Sequence, residues 1–464
     1  EAWLEAYRAT NQRIMRLMIA GQGGHTTRWQ GLEPREALEF FDRNGVVVRR
    51  NTTLDGERIG YNFSESDEET RRKQGGSELK LALMENWRSQ CVAQVKGERN
   101  HPSIQIWTIE NEFAFINLIN LLGNSPNAYE EEITRTHDAV RAVDPTRPVM
   151  IDGGGATKGN TLGVHGDHYV ATLDSRYPDL AYEAFVEGGG RGRWKWDMQR
   201  PRFLGEDWYA TGINPADYAM WGGEITFQGK AATRDAVALI YRMLNEGYRW
   251  GGHYAAWQFW AGAEGGEAQW GGNPPRAVFC RQWDWTFPSG REVVRTFGIF
   301  NDTRFEEPLT FQRQLLIDGC EVYSEESTHH VTPGTALKCD ERIPMPAVTD
   351  RTAGELRLTL VVDGESVFED VKPLAILPPP VLEGIDAGAL AVWDPKGAAA
   401  EFLEALGVSF VRVESIEGIP GSAKLLLVGA DALSEEASTS TQLAAFASKG
   451  HSVVVLDQDH PLKY

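Results

Sequence analysis

The sequence predicts an α/β fold, a (β/α)8 barrel of the TIM type, followed by a β-sandwich and a partial doubly wound α/β domain. Three observations support this. Apolar strand signals alternate with amphipathic helix signals through roughly the first 265 residues, as in a parallel sheet covered by helices. From about Val293 the texture changes to short β-rich runs separated by turns. After the stiff segment Leu377-Pro378-Pro379-Pro380 the strand–helix alternation returns. These shifts divide the chain into a barrel over 1–290, an Ig-like sandwich over 291–377, and a truncated flavodoxin- or glutamine-amidotransferase-like domain over 378–464.

Taken in order, Ile14–Ile19 reads as a strand that carries one charge, Arg16. Arg35–Asn44 reads as a helix with Asn44-Gly45 as its stop. Val46–Val48 is a short buried strand, and Leu79–Val95 a helix with Leu83, Trp87, Cys91 and Val95 on one face. The strand Ile104–Ile109 and the helix Glu130–Val143 follow. Pro148–Ile151, Leu162–Val164 and Arg202–Leu204 are further strands; Ala232–Leu244 is a helix, and Tyr254–Trp260 the last apolar strand. That is one strand short of eight. The missing one is expected to precede Glu1, because the chain opens inside a helix-like segment (Trp3, Leu4, Tyr7) without a methionine, as a fragment of a longer protein would. Such a fragment need not be active by itself. In the last domain, Leu390–Trp393, Ser409–Val413, Leu425–Val428 and Val453–Leu456 read as strands and Ala398–Leu406 and Gln442–Ser448 as helices, with no phosphate-binding glycine loop; a structural or assembly role is expected.

Composition narrows the function. A net charge of −20 argues against nucleic acid or an anionic membrane as the main partner, since both demand basic patches. No apolar run approaches membrane-spanning length. The four cysteines show no CxxC spacing and read as scattered core thiols. The chain does not assign its compartment; a periplasmic or extracellular one is preferred. A homo-oligomer is compatible with the sequence. Fifteen tryptophans, many between Trp194 and Trp285, serve core packing or the stacking of sugar faces.

Chemistry in such a barrel belongs at the C-terminal ends of the strands. Two strand ends are informative: Trp107-Thr108-Ile109-Glu110-Asn111-Glu112 and Arg202-Phe203-Leu204-Gly205-Glu206-Asp207. Each sets a glutamate just past an apolar strand. Charged side chains are rarely buried unless paired, so strand burial is expected to stop at Ile109 and leave the carboxylates in a cleft. Glycoside hydrolysis requires two such carboxyl groups facing each other across the scissile bond.

The segment Asn100-His101-Pro102-Ser103 through Glu110-Asn111-Glu112 resembles the acid/base segment of clan A retaining glycoside hydrolases, nearest to family 2, the β-galactosidase and β-glucuronidase group. The resemblance implies that Glu112 is the general acid/base, that Asn111 binds a sugar hydroxyl and that Glu206 is the nucleophile. It further implies that Arg16 keeps Glu206 ionised and that Trp257 lies under the bound sugar. Asp144-Pro145-Thr146-Arg147-Pro148 matches the turn leading into the fifth strand. The order of domains, and Gly205 where the family usually has serine, depart from the pattern. Within His165-Gly166-Asp167-His168-Tyr169, His168 is expected to recognise sugar and Tyr169 to bond the nucleophile; Trp208 and Trp260 are further cleft candidates. The expectation is a retaining β-glycosidase, exo-β-galactosidase-like, acting on an oligo- or polysaccharide without cofactor or metal. Its rivals are an endo-acting agar- or porphyran-type galactan hydrolase, a non-catalytic carbohydrate-binding protein, and a metal-dependent hydrolase using His165, Asp167 and His168.

Overall fold

The computed structural model describes residues 2–18, 31–52, 77–112, 126–153, 155, 161–168, 196–207, 227–229, 233–259, 271–379, 386, 388–434 and 441–459. The chain forms two compact units, residues 1–346 with 352–376, and residues 347–351 with 377–464.

In the first unit, helix α1 (Ala2–Ala9) leads into β1 (Met15–Leu17), α2 (Pro34–Asn44), β2 (Val48–Asn51), α3 (Ser77–Glu98), β3 (Ile104–Asn111), α4 (Pro126–Val143), β4 (Val149–Asp152), β5 (His165–His168), β6 (Arg202–Asp207), α5 (Arg234–Gly251) and β7 (Ala256–Phe259). The strands β1-β2-β3-β4 form one parallel sheet and β5-β6-β7 a second, in chain order, and a bridge between Gly155 and Gly166 stands between them. Side chains alternate across the strands. Leu17, Val48, Ile104, Trp107, Ile109, Val149 and Ile151 belong to the cluster shared with Phe41, Trp87, Cys91 and Val140 of the helices. Ile106, Met150, Phe203 and Ala256 meet in a smaller cluster with Ile14, and polar side chains continue it toward the strand ends.

Turn chemistry fixes where the strands begin. Asp42 on α2 accepts from the Ser103 backbone N–H at 2.9 Å and pairs with His101 at 2.6 Å, which seats the Asn-His-Pro-Ser turn ahead of β3. Arg147 donates to the carbonyls of Ile104, Arg99 and His101, at 2.6, 2.8 and 2.9 Å. Asp144 accepts from Trp107 Nε1 at 2.7 Å and from the Thr146 N–H at 3.0 Å. The two turns are thus tied through β3.

The remaining strands of this unit are antiparallel wherever their pairing is resolved. They are β8 (Arg276–Cys280), β9 (Thr286–Pro288), β10 (Glu292–Asn301), β11 (Leu309–Ile317), β12 (Cys320–His329), β13 (Thr335–Pro344), β14 (Thr352–Val362) and β15 (Glu365–Leu377). They make sheets of order β13-β10-β8 and β12-β11-β14-β15-β9. The sheets meet through Phe297 against Phe311 and Phe279 against Phe368, as in a sandwich. Sandwich pairing begins at Arg276, inside the segment that the sequence reading assigns to the barrel, because β8 supplies an edge to β10. Cys91, Cys280, Cys320 and Cys339 are all free thiols.

Helix α5 docks on the sandwich. Arg242 pairs with Glu246 at 2.8 Å and with Asp370 of β15 at 2.5 Å. The Arg249 guanidinium lies 4.9 Å from the Phe279 ring centre and 5.1 Å from that of Phe300.

The second unit holds β16 (Leu390–Trp393), α6 (Ala398–Ala405), β17 (Val411–Arg412), β18 (Leu425–Val428), α7 (Gln442–Ala447) and β19 (Ser452–Val455), with parallel strands in the order β17-β16-β18-β19. Alternating side chains build a core on each face. Ala391, Trp393, Leu426 and Val428 pack with Leu443 of α7, while Leu390 and Val392 pack with Ala400 of α6. No described helix is long and apolar enough to cross a membrane.

Candidate active site

The site is built at the C-terminal ends of β1 to β6. Strand β3 runs two residues farther than the sequence reading allows, to Asn111, and burial continues through Glu110, Asn111 and Glu112, whose exposures are 1%, 3% and 5%. The expectation that burial ends at Ile109 is corrected here. Glu112 tolerates burial because the His168 ring meets its carboxylate at 2.8 Å. Glu112 takes a left-handed backbone, φ +53°, which breaks the alternation after Asn111. Its N–H donates to the Asp152 carbonyl at 2.8 Å, which fixes the bend against β4.

Arg16 on β1 reaches three of the groups. Nη1 pairs with Glu206 Oε1; Nη2 donates to Asn111 Oδ1 at 2.7 Å and lies 2.9 Å from Asp152 Oδ2. Arg49, on the neighbouring strand in register with Arg16, pairs with Asp152 Oδ2 and donates to the Gly205 carbonyl at 3.0 Å. Burial pulls against charge at Asp152, yet Arg16, Arg49 and His168 hold its carboxyl well below the usual carboxylate range.

His168 stands between the two glutamates. Its Nδ1 lies 2.8 Å from Glu112 Oε1 and 3.7 Å from Glu206 Oε2, and its Nε2 lies 2.8 Å from Asp152 Oδ1. Burial alone would lower its pKa, but the Glu206 and Asp152 carboxylates, with the hydrogen bond to Glu112, push it up to about 10. The ring is therefore an imidazolium at neutral pH and donates from both nitrogens. One ligand atom from each of Glu112, His168 and Glu206 falls within 4.8 Å of the others. That spacing would suit a metal ion, but guanidinium groups already serve Glu206 and Asp152, and the donor set reads as an ion-pair network.

Glu206 and its neighbour Asp207 face different partners. Asp207 accepts from the Tyr248 hydroxyl on α5, away from the network. His165 and Asp167 pair with each other at 3.2 Å, and Asp167 with Arg202 at 2.7 Å, so these two stand apart from His168 and the glutamates. His165-Gly166-Asp167-His168 is itself the strand β5, where the sequence reading places a loop after Leu162–Val164; salt bridges let its charged residues be fully buried.

The structure thus gathers Arg16, Asn111, Glu112, His168 and Glu206. Trp257 makes its hydrogen bond elsewhere but shares a cavity wall with Arg16. That indole donates to Asn245 of α5 at 2.6 Å and packs edge-on against Tyr248. It lines a cavity of about 1090 Å³ between β1 and β7, whose walls include Arg16, Gln258 and Lys338. Tyr169, Trp208 and Trp260 lie outside the described residues. Sequence reasoning missed Asp152 and Arg49. Asp152 could have been found as an acid closing the apolar run Val149-Met150-Ile151; Arg49 carried no signal, because charge after Val48 reads as a strand leaving the core.

Residues 33–219 match the family described as "Glycosyl hydrolases family 2, TIM barrel domain". No curated protein matches the chain. Among solved structures, an FMN-binding β-glucuronidase from Facaelibacterium prausnitzii L2-6 is similar over 82% of this chain and 53% of its own, at 12% identity and a TM-score of 0.38. A glycosyl hydrolase family 2 member from Bacteroides cellulosilyticus DSM 14838 is similar over 82% and 43%, at 14% identity and a TM-score of 0.33. A β-glucuronidase from Parabacteroides merdae is similar over 82% and 46%, at 10% identity and a TM-score of 0.35. The chain spans about half the length of these structures. Residues 33–219 are a TIM-barrel segment of the glycoside hydrolase family 2 type, in a chain that carries further domains.

Proposed function

We propose that this chain carries the catalytic site of a retaining β-glycoside hydrolase, with Glu206 as nucleophile and Glu112 as acid/base. The observation that supports it is the approach of the two carboxylates to within 4.8 Å at the barrel mouth. Retaining enzymes set them about 5–5.5 Å apart, inverting ones roughly 6.5–9.5 Å. In the first step Glu206 attacks the anomeric carbon while Glu112 gives its proton to the leaving oxygen. The carbon–oxygen bond breaks, and a glycosyl ester forms on Glu206. In the second step Glu112 takes a proton from water, the water oxygen attacks the same carbon, and Glu206 leaves as carboxylate. Arg16 pairs with Glu206 and orients the Asn111 amide, which is placed to meet a sugar hydroxyl.

A β-galactoside is the first substrate to try, acted on from the chain end; an endo-acting galactan hydrolase of the agar or porphyran type is the alternative. The experiment is hydrolysis of a panel of aryl β-glycosides and galactan oligosaccharides, followed by a 2-deoxy-2-fluoro glycoside of the accepted sugar. The expected result is turnover with retained configuration and a covalent adduct on the Glu206 peptide. Inverted product, or an adduct on another residue, overturns the assignment. Sugar binding without turnover would favour a carbohydrate-binding protein.

A further inference from the structure

We propose that His168 is a positioning residue that acts as one shared counter-charge for both glutamates, and that Asp152 and Gly205 serve to hold it in that place. The proposal rests on the retaining reading above. In that reaction one negative charge changes hands: it leaves Glu206 when the ester forms and appears on Glu112, which has lost its proton, and the second step returns it. His168 Nδ1, 2.8 Å from Glu112 and 3.7 Å from Glu206, lies beside both positions of that charge. A fixed cation there lets the charge move between its neighbours without leaving either unpartnered, and without water having to reorganise.

The anchoring is specific. The second ring nitrogen is taken by Asp152 at 2.8 Å, and Asp152 is in turn held by Arg16 and Arg49. The ring cannot turn away without breaking that bond. Gly205 supplies the independent sign. A Cβ at this position would stand 1.8 Å from Asp152 Oδ1 and 2.9 Å from His168 Nε2. Any side chain at 205 and the Asp152–His168 pair are therefore mutually exclusive. This gives a physical reason for glycine directly before Glu206. The charged groups that face the ring are Glu112 from the end of β3, Asp152 from β4 and Glu206 from β6, with Arg16 and Arg49 behind them; on its own strand, Asp167 turns to Arg202 and His165.

The test compares wild type with His168→Asn and Gly205→Ala. The kcat/KM for an aryl glycoside reports the first step, and reactivation of the 2-fluoro-glycosylated enzyme reports the second, each across pH. The expected result is that His168→Asn slows both steps by roughly 10- to 100-fold and moves both limbs of the pH–rate profile to higher pH, because a cation beside a carboxylate favours its ionised form and its removal withdraws that help. Gly205→Ala should show the same pattern, since it displaces the ring. Slowing of one step alone, or uniform slowing with unmoved limbs, overturns the proposal. Should the variants fail to fold, the side-chain ¹⁵N shifts of His168 in labelled wild type decide the matter. An imidazolium in both free and glycosylated enzyme is required, and a neutral ring in either overturns it. Absence of any adduct on Glu206 overturns the site reading and this proposal with it; an adduct with unmoved limbs overturns this proposal alone.

Discussion

Glu206 and Asp207 are adjacent and chemically alike, and their partners divide their roles. Glu206 meets Arg16, whereas Asp207 accepts from Tyr248 on the helix side. Glu206→Gln should therefore lower kcat by about 10³-fold or more. Asp207→Asn should bring only a modest loss of rate and a loss of roughly 1–3 kcal/mol in urea unfolding, because it weakens a buried hydrogen bond to a charged group. His168 adds a pH signature to stability. Its pKa is raised from 6.5 to about 10, so its contribution is fully present below about 6.5 and is lost as pH rises through about 10. Melting temperatures measured from pH 6 to 10.5 should fall for wild type and fall less for His168→Asn. At this scale Glu112 and Glu206 stood out, because a glutamate after an apolar strand is an uncommon pattern with a chemical use, whereas Arg16 and Asn111 came only from the family resemblance. Arg49 did not stand out, since one half of a buried ion pair between strands far apart in the chain leaves no local pattern; Asp152, the acid closing Val149-Met150-Ile151, left a sign that was passed over.

Among the elements, helices were easier to read than the polar ends of strands. The expected helix Arg35–Asn44 became α2 with one residue added, whereas β2 lies at Val48–Asn51 instead of Val46–Val48 and β5 at His165–His168 instead of Leu162–Val164. Helix faces carry an apolar period. The strands of this barrel end in Arg49-Arg50-Asn51, Glu110-Asn111, Asp152 and Glu206-Asp207, and hydropathy ends them early. The site sits on the very residues that made the strands hard to see. The same scale holds the turn before β4. Burial alone would raise the Asp144 pKa, but hydrogen bonds from Thr146, Trp107 and Arg147 bring it down to about 2. Its contribution is thus present above about pH 3.8 and is lost as pH falls through about 2. Asp144→Ala should cost roughly 3 kcal/mol in denaturant unfolding at neutral pH and flatten acid unfolding over that window, since three donors lose one acceptor together.

Across the whole molecule, the proline segment at Leu377 falls where the second compact unit begins, whereas sandwich pairing starts at Arg276, ahead of the texture change near Val293, and neither sign shows what joins the barrel to the sandwich. Among the described residues those contacts include Arg242, Arg249 and Trp250 of α5, and a sequence offers no sign of which distant ring or carboxylate each will meet. Calorimetry of the chain should show two transitions, one for barrel with sandwich and one for the C-terminal unit. Arg242→Ala should lower only the first, by about 3 kcal/mol, because Glu246 loses this cation and Asp370 keeps only Lys372. A single transition, or a drop in the second, would contradict this. The same helix also bonds Trp257 through Asn245 and Asp207 through Tyr248. The piece that can be exchanged between proteins by recombination is therefore barrel with sandwich, not barrel alone. A chimera that grafts a foreign sandwich after residue 271 inherits a helix whose arginines were cut to fit the old one, and must evolve new partners for Arg242 and Arg249 before the strand next to it can keep its place.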